Sequence, residues 1–274
     1  MLAAAPKQGF LSTAGAFCAR DFKIAWSYRV PFVPALMGVT ASLVTFRFVS
    51  RLVQGADALD ATTADFFSFV VVGMVAAHVL QRAMTAPPTQ VRLEQVQGTL
   101  EVLASRPLSP AALALGWTAW PLAEGLTIAL GMLGIGVALG VKLNVAGLLV
   151  AVPVLVLSGL VFAAIGVAVS ALVLVFQRGT SWTRWIVAAM GFVGGVLFPV
   201  SLLPRWAQVA AEASPLTHTL RALRGSLLGT APGGTVLTEV AVLGVFAIIA
   251  VPCALLILTA ALRRARTSGT IGTY

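Results

Sequence analysis

Long apolar runs separated by short polar intervals make up most of this chain of 274 residues. Six of these runs approach or exceed the ~20 residues that a helix needs to cross a membrane, with the second and fifth at the short end. They lie at about 31–49, 66–83, 111–141, 145–176, 185–200 and 236–262. The pattern predicts an all-α, polytopic membrane protein with six transmembrane helices within residues 31–262.

Residues 1–30 have a different pattern. Phe10, Phe17 and Ile24 recur at a spacing that places them on one side of a helix, while Arg20 and Lys23 are available for anionic headgroups. We expect an amphipathic helix that lies at the cytoplasmic interface and leads into the first transmembrane helix.

The polar interval after the second apolar run predicts a short amphipathic helix at about 94–105. Apolar residues recur at helical spacing, and polar residues fill the opposite side. The apolar stripe is Leu93, Val96, Leu100 and Leu103, and the polar stripe is Glu94, Gln97, Gly98, Glu101 and Ser105. Pro107 ends this helix, and Ser109-Pro110 is typical of an N-cap followed by proline at the first helical position. The helix either docks a soluble partner or lies on lipid headgroups.

The interval from Phe198 to Gly234 is too apolar for an ordinary loop. It predicts two short helices, at about 204–213 and 215–228, with Ser214-Pro215 as the cap and start of the second. Neither is long enough to cross the membrane. We expect a re-entrant helical hairpin at about 202–228 that enters the membrane from outside. The alternative is a pair of helices lying flat on the outer surface.

Charge determines the predicted orientation. The chain is 59% hydrophobic and only 10% charged, a balance that a soluble domain does not have. With the N-terminus inside, the inner segments hold twelve of the Lys and Arg residues and the outer segments hold six. This excess predicts a multi-pass protein of the inner or plasma membrane with both termini cytoplasmic, including the tail 263–274. No basic cluster interleaved with aromatic residues is present, so we expect membrane lipids and no nucleic acid as partners.

Motifs for nucleotide hydrolysis and other catalysis are absent from the sequence. A P-loop needs lysine followed by serine or threonine, but Lys7, Lys23 and Lys142 precede Gln, Ile and Leu. There is also no HExxH, CxxC or GxSxG sequence. We therefore expect neither enzymatic activity nor a cofactor or metal on this chain.

Two polar residues within the apolar runs are candidates for a functional contact. Glu124 is near the middle of the third run, and His78 lies in the second at a similar depth. A carboxylate inside a membrane is costly unless it is paired or hydrated, so Glu124 is a functional candidate. A Glu124–His78 contact would either serve ion-coupled transport or form a structural hydrogen bond between two helices.

Small and aromatic residues add two further expectations. Gly136 with Gly140, and Gly166 with Ser170, form pairs that permit close contact between helices. Five tryptophans fall near the predicted membrane interfaces, where such residues are enriched. They are Trp117, Trp120, Trp182, Trp185 and Trp206.

Three segments together resemble the membrane subunit of an ABC type-2 exporter, a family that includes drug, antibiotic, polysaccharide and teichoic-acid exporters. They are ARDFKIAWSYR (Ala19–Arg29), EQVQGTLEVLASRPLSP (Glu94–Pro110) and FPVSLLPRWAQVAAEASPLTHTLRALR (Phe198–Arg224). The resemblance implies a non-catalytic permease that forms a dimeric pathway with a second, identical or related copy. Separate ATPase subunits, which bind ATP and Mg, would drive transport.

The resemblance also implies residue roles. The segment after the second span would be the coupling helix that contacts the ATPase, through Glu94, Gln95, Gln97, Gly98, Thr99, Glu101 and Ser105. The outer hairpin would gate the exit, with Pro199, Pro204, Trp206 and Pro215. The cargo would be a drug, lipid or glycoconjugate, and the low aromatic content of 8% favours an apolar or amphipathic molecule. An ion-coupled transporter or channel using Glu124 and His78 is the alternative.

Overall fold

The computed structural model describes residues 32–53, 66–99, 109–176 and 180–267, together with residues 15, 19, 20 and 23. Within these ranges the regular structure is helical and contains no strand, which confirms the all-α prediction. The α-helices are α1 (Phe32–Val53), α2 (Phe66–Val96), α3 (Pro110–Ala138), α4 (Val145–Phe176), α5 (Thr180–Val193), α6 (Arg205–Glu212), α7 (Pro215–Leu227) and α8 (Gly233–Thr267), and a 3-10 turn occupies Val200–Leu202. The predicted interfacial helix before residue 30 and the tail after 267 lie outside the described residues.

Four helices, α2, α3, α4 and α8, are long and apolar enough to cross a membrane. The first predicted span corresponds to α1, which has 22 residues but carries Arg47 and Arg51 near its end. The fifth corresponds to α5, which has 14 residues and is therefore about 21 Å long. That length is short of the ~30 Å hydrocarbon core, so the count of six spans stays a prediction.

Helix α2 continues well beyond the predicted end of its apolar run and passes through Pro87 and Pro88. A proline lacks the N–H that would bond the carbonyl four residues earlier, so these two leave the carbonyls of Ala83 and Met84 without that partner. Gly166 of α4 packs against both carbonyls. A Cβ at this glycine would lie 2.9 Å from the Ala83 oxygen and 2.8 Å from the Met84 oxygen. The two prolines are thus accommodated where a neighbouring helix approaches without a side chain.

Helices α2 and α4 lie at the centre of the bundle. Helix α8 packs along α4, and α3 packs along α2. Gly136 of α3 also allows close approach, because a Cβ there would lie 2.8 Å from Val71 Cγ1 of α2. The close helix contacts predicted for Gly136 and Gly166 are confirmed. Gly140 instead lies in the turn after α3, with φ +104, a conformation that favours glycine.

One tryptophan prediction is wrong. Trp117 is fully buried and packs in a cluster with Val91 of α2 and Leu113 of α3. It is therefore a core residue, since helix α2 continues past it and covers it. Trp185 and Trp206 are exposed, as an interfacial position requires.

The two short helices predicted before the last span are present as α6 and α7. Helix α7 is buried along almost its whole length and packs against α8, α4 and α2. Its apolar residues Leu216, Leu220, Leu223 and Leu227 belong to the core. Helix α6 is mostly exposed. The depth of these helices in a bilayer stays a prediction.

Both predicted cap sequences begin helices. The Ser109 hydroxyl accepts a hydrogen bond from the Ala112 N–H at 3.1 Å, and Pro110 occupies the first position of α3. Pro215 begins α7 in the same way, but the Ser214 side chain makes no capping hydrogen bond. The prediction is therefore confirmed in full at the first site and for the proline at the second.

Candidate functional site

The predicted coupling segment begins inside α2. Its first residues form the last turn of that helix, which ends when the Gln97 N–H bonds the Leu93 carbonyl at 2.9 Å and the Gly98 N–H bonds the Gln95 carbonyl at 3.1 Å. Gly98 has φ +71, a left-handed conformation typical of helix ends. The start predicted for a separate helix at 94 is therefore wrong. Thr99 is helical again, and Glu101 and Ser105 lie outside the described residues.

Burial at this turn reverses the predicted amphipathic pattern at Leu93, Glu94 and Val96, whereas Gln97 and Gly98 are exposed as the polar stripe requires. Glu94 is 4% exposed and Gln95 is 1% exposed, whereas Leu93 is 46% exposed and Val96 is 66% exposed. The reason is that α2 continues as one helix, so its existing packing side determines which residues face inward. Among the described residues the outward-facing positions are Leu93, Val96, Gln97, Gly98 and Thr99.

The two buried polar residues have specific partners. Glu94 accepts a hydrogen bond from Arg20 Nη1 at 3.1 Å and a second from the Thr99 hydroxyl. Gln95 donates from Nε2 to the Val173 carbonyl near the end of α4, at 3.4 Å. Glu94 therefore connects the N-terminal segment to the turn, and Gln95 connects α2 to α4.

The intramembrane carboxylate is paired with an arginine. Glu124 Oε2 accepts a hydrogen bond from Arg82 Nη2, and the side chains are 32% and 36% exposed. At 1.5 Å per residue the pair lies about 21 Å from the ends of α2 and α3 at the predicted cytoplasmic side. The predicted Glu124–His78 contact is wrong, and His78 Nε2 is buried without a hydrogen-bond partner among the residues that the structure describes. The positive charge beside Glu124 is that of Arg82, which stands at the end of the second apolar run.

A polar strip continues from this pair along the outward side of α2. It consists of Gln81, Thr85 and Thr89, spaced four residues apart. The Thr85 hydroxyl donates to the Gln81 carbonyl and the Thr89 hydroxyl donates to the Thr85 carbonyl, each at 2.7 Å. The strip is exposed or half-exposed, so the described part of the chain does not cover it.

The predicted gate residues all lie in or beside α6 and α7. Pro199 precedes the 3-10 turn, Pro204 is the N-cap residue of α6, and Pro215 is the first residue of α7. Trp206 is 72% exposed on α6, whereas Pro215 is buried. The structure therefore brings the four residues to one hairpin, but only part of the set is accessible.

His218 and Glu239, which the sequence analysis overlooked, connect this hairpin to the last helix. The His218 Nδ1 atom lies 2.5 Å from Glu239 Oε2, and its Nε2 atom lies 2.9 Å from the Glu212 carbonyl oxygen. Because a carbonyl only accepts, Nε2 carries a proton. Nδ1 faces the Glu239 carboxylate, so the two ring nitrogens of His218 on α7 connect to α6 and to α8. Glu239 stands inside the sixth apolar run, and a search for every charge in those runs would have found it.

An exposed ion pair lies beside this contact. Arg221 donates from Nη1 to Glu212 Oε2 at 2.8 Å, and its Nη2 donates to the other carboxylate oxygen. The hydrogen bond from Arg221 lowers the pKa of Glu212 below 4.5, and the positive charge of Arg221 adds to that shift. Glu239 Oε1 lies 3.8 Å from Arg221 Nη1, so the two carboxylates share one guanidinium.

Arg224 connects α7 to the turn that follows α5. Its Nη2 atom donates to the carbonyls of Gly195 at 3.0 Å and Val196 at 2.9 Å, and the guanidinium lies 3.4 Å from the centre of the Phe69 ring. Gly73 of α2 permits this arrangement, because a Cβ there would lie 2.1 Å from the Val196 oxygen. Within the described residues, no group of three or more His, Cys, Asp or Glu side chains is placed to hold a metal ion.

Comparison with known proteins gives the family. Residues 15–228 match the family described as ABC-2 type transporter. Nodulation protein J of Sinorhizobium fredii is 27% identical over 227 residues, covering 82% of this chain and 85% of that protein. Nodulation protein J of Rhizobium leguminosarum bv. viciae is 30% identical over 201 residues, covering 73% and 75%. The matched span contains the Gly98 turn, the Arg82–Glu124 pair and both hairpin helices, and the chain belongs to the ABC-2 type transporter family.

Proposed function

We propose that this chain is the permease subunit of an ATP-driven exporter in the inner or plasma membrane. The observation that carries the proposal is the family match across residues 15–228. Because the sequence has no P-loop, ATP and Mg would be bound by separate ATPase subunits and the chain itself would be non-catalytic. Both termini would be cytoplasmic.

The Gly98 turn is the proposed docking surface for the ATPase. Leu93 and Val96 are exposed beside Gln97 and Thr99, and an exposed apolar pair rimmed by polar groups is typical of a protein interface. The Arg20–Glu94 hydrogen bond would make the N-terminal segment move with the turn. Glu101 and Ser105 would extend the same surface.

Helix α2 connects this surface to the proposed pathway. The Arg82–Glu124 pair and the polar strip are costly in contact with lipid, yet the described part of the chain leaves them partly exposed. A second copy of the permease, identical or related, would face them and enclose a polar path. The hairpin of α6 and α7 would close that path on the outer side. We assign the cargo to amphipathic drugs, lipids or glycoconjugates.

The ion-coupled alternative is weakened because Glu124 is bound to Arg82 and does not contact His78. It keeps one supporting observation, the buried His78 Nε2 without a partner. It predicts transport that follows an ion gradient in proteoliposomes containing no ATPase and no ATP.

Cross-linking tests the docking surface. Cys18 and Cys253 are first replaced by serine, and Gln97→Cys is then combined with the purified candidate ATPase. Lys142→Cys is the matched control, since Lys142 is exposed in the turn at the other end of α3. We expect cross-links from residue 97 and none from residue 142. Cross-links from residue 142 alone would overturn both the proposed orientation and the proposed docking site.

A further inference from the structure

Two neighbouring cavities share lining residues where α8 begins. One has a volume of about 370 Å³ and lies between α7, α8 and the segment around Pro199. The other, of about 540 Å³, lies between α4, α7 and α8. Ala231 and Val236 line both. Each volume falls in the range of about 300–1,000 Å³ that is usual for ligand sites.

Two residues that line the smaller cavity have buried hydrogen-bond donors without partners in the part of the chain that the structure describes. Thr217 lines it and is only 1% exposed, and its hydroxyl makes no hydrogen bond. Arg224 also lines it, and its Nε atom is buried without a partner. Burying an unpaired polar group is unfavourable, so both donors indicate that a hydrogen-bond acceptor belongs in this cavity.

The charges around the smaller cavity favour an anion. Arg221 is paired with Glu212, and the Glu239 carboxylate, which also lines the cavity, faces both His218 and Arg221. Arg224 differs from Arg221 because, within the described part of the chain, its hydrogen bonds go to neutral carbonyls and not to a carboxylate. Thr235, in the first turn of α8, also lines the cavity, and that turn contains no acidic residue. The positive end of the helix dipole therefore adds to the attraction.

The larger cavity is lined mainly by apolar residues, two of which are also exposed on the outside of the bundle. Leu149, Val150 and Pro153 of α4 line one side, and Leu237 and Val240 of α8 line the other. Leu149 and Leu237 are both highly exposed, so their side chains would meet lipid. A hydrocarbon chain entering from the bilayer would bury apolar surface here at little cost.

We propose that the two cavities together bind an amphiphile, with an anionic headgroup against Thr217 and Arg224 and an apolar chain between α4 and α8. The amphiphile is either a lipid of the outer leaflet or the exported cargo. The proposed binding of an amphiphile is argued from the two cavities. Only the possibility that the amphiphile is the exported cargo rests on the proposed function.

Native mass spectrometry of the full-length chain measures this binding, with phosphatidylglycerol as the anionic probe and phosphatidylcholine as the zwitterionic one. We expect a preference for phosphatidylglycerol. Arg224→Gln should weaken its binding about tenfold, as for the loss of a charged hydrogen bond, and Thr217→Val about threefold. Arg205→Gln is the control, because Arg205 is an exposed arginine of α6 outside both cavities.

Thermal unfolding separates binding from folding. Thr217→Val keeps the shape of the side chain and removes an unpaired buried hydroxyl, so its Tm should be unchanged or higher while its lipid affinity falls. Arg224→Gln also loses the contacts to residues 195 and 196. If that variant does not fold, the lipid affinity of Thr217→Val alone tests the headgroup assignment. Binding by Thr217→Val equal to that of the Arg205→Gln control would overturn the headgroup assignment.

A blocking variant tests the apolar cavity. Ala146 is exposed and lines it, so Ala146→Trp should obstruct the chain and lower phosphatidylglycerol binding with Tm retained. Unchanged binding would overturn the assignment of an amphiphile.

Reconstitution with the ATPase identifies the source of the amphiphile. If Thr217→Val lowers lipid binding but not ATP-driven export, the amphiphile is a resident lipid. If both fall in parallel, it is the cargo. Absence of export from every form of the protein, including Arg205→Gln, would count against the proposed function and leave the lipid-binding result intact.

Discussion

The Arg82–Glu124 pair gives the most informative prediction, because removing one partner leaves a charge unpaired inside the membrane. Such a loss costs about 3–5 kcal/mol where the pair is fully buried. Here the side chains are 36% and 32% exposed, so we expect Glu124→Gln to cost less, about 1–3 kcal/mol. At about 2–4 °C per kcal/mol for a chain of this size, Tm should fall by about 2–12 °C.

A double-mutant cycle isolates the interaction between the two residues. Arg82→Gln, Glu124→Gln and the double variant are compared by thermal unfolding in the same detergent. The double variant contains no unpaired charge, so it should be more stable than Glu124→Gln alone, with a coupling of about 0.5–3 kcal/mol. Glu212→Gln is the matched control. It breaks an exposed pair and should cost no more than about 1 kcal/mol.

The same variants separate a structural role from a role in transport. If the pair only joins α2 to α3, the double variant regains export together with stability. If the charges contact the cargo, stability returns while export stays low. Strictly additive losses in the cycle would refute the interaction, and Glu124→Gln with normal folding and normal export would remove Glu124 from the mechanism.

Three further predictions concern the fold and are measured by thermal unfolding. Gly166→Val should destabilise the protein by about 1–3 kcal/mol, because its side chain would meet the carbonyls of Ala83 and Met84. Gly131→Ala should have little effect, because the space around Gly131 is open. Ser109→Ala should cost about 1 kcal/mol through loss of the α3 N-cap. The lowered pKa of Glu212 means that its pair with Arg221 contributes stability above pH 4.5. This contribution is lost as the pH falls through the folded-state pKa. It amounts to at most about 1 kcal/mol in the free energy of unfolding, because the pair is exposed. In Arg221→Gln, which lacks the pair, this pH-dependent decrease in stability should be absent.

The helices and their caps were predictable because their signals are local. Apolar length identified α2, α3, α4 and α8, and Ser109-Pro110 marked the start of α3. The end of α2 was not predictable in the same way. Pro87 and Pro88 normally stop a helix, and they are accommodated here by Gly166, whose approach is a property of the tertiary packing.

The site was harder to predict than the fold for the same reason. The Arg82–Glu124 and His218–Glu239 pairs join residues 42 and 21 positions apart, and spacing along the chain does not reveal such partners. The burial of Glu94 likewise depends on which side of α2 faces the bundle. The hairpin helices were found because Pro204 and Pro215 begin them, but the burial of α7 depends on three other helices.

The central claim is that this chain forms a path whose energy comes from a separate ATPase. Its most direct test is export of a labelled amphipathic cargo from proteoliposomes containing the chain and the ATPase. We expect export to require ATP, and to cease when the lysine of the ATPase P-loop is replaced, whatever the ion gradient. Export that persists without ATP and follows a proton or sodium gradient would contradict the account.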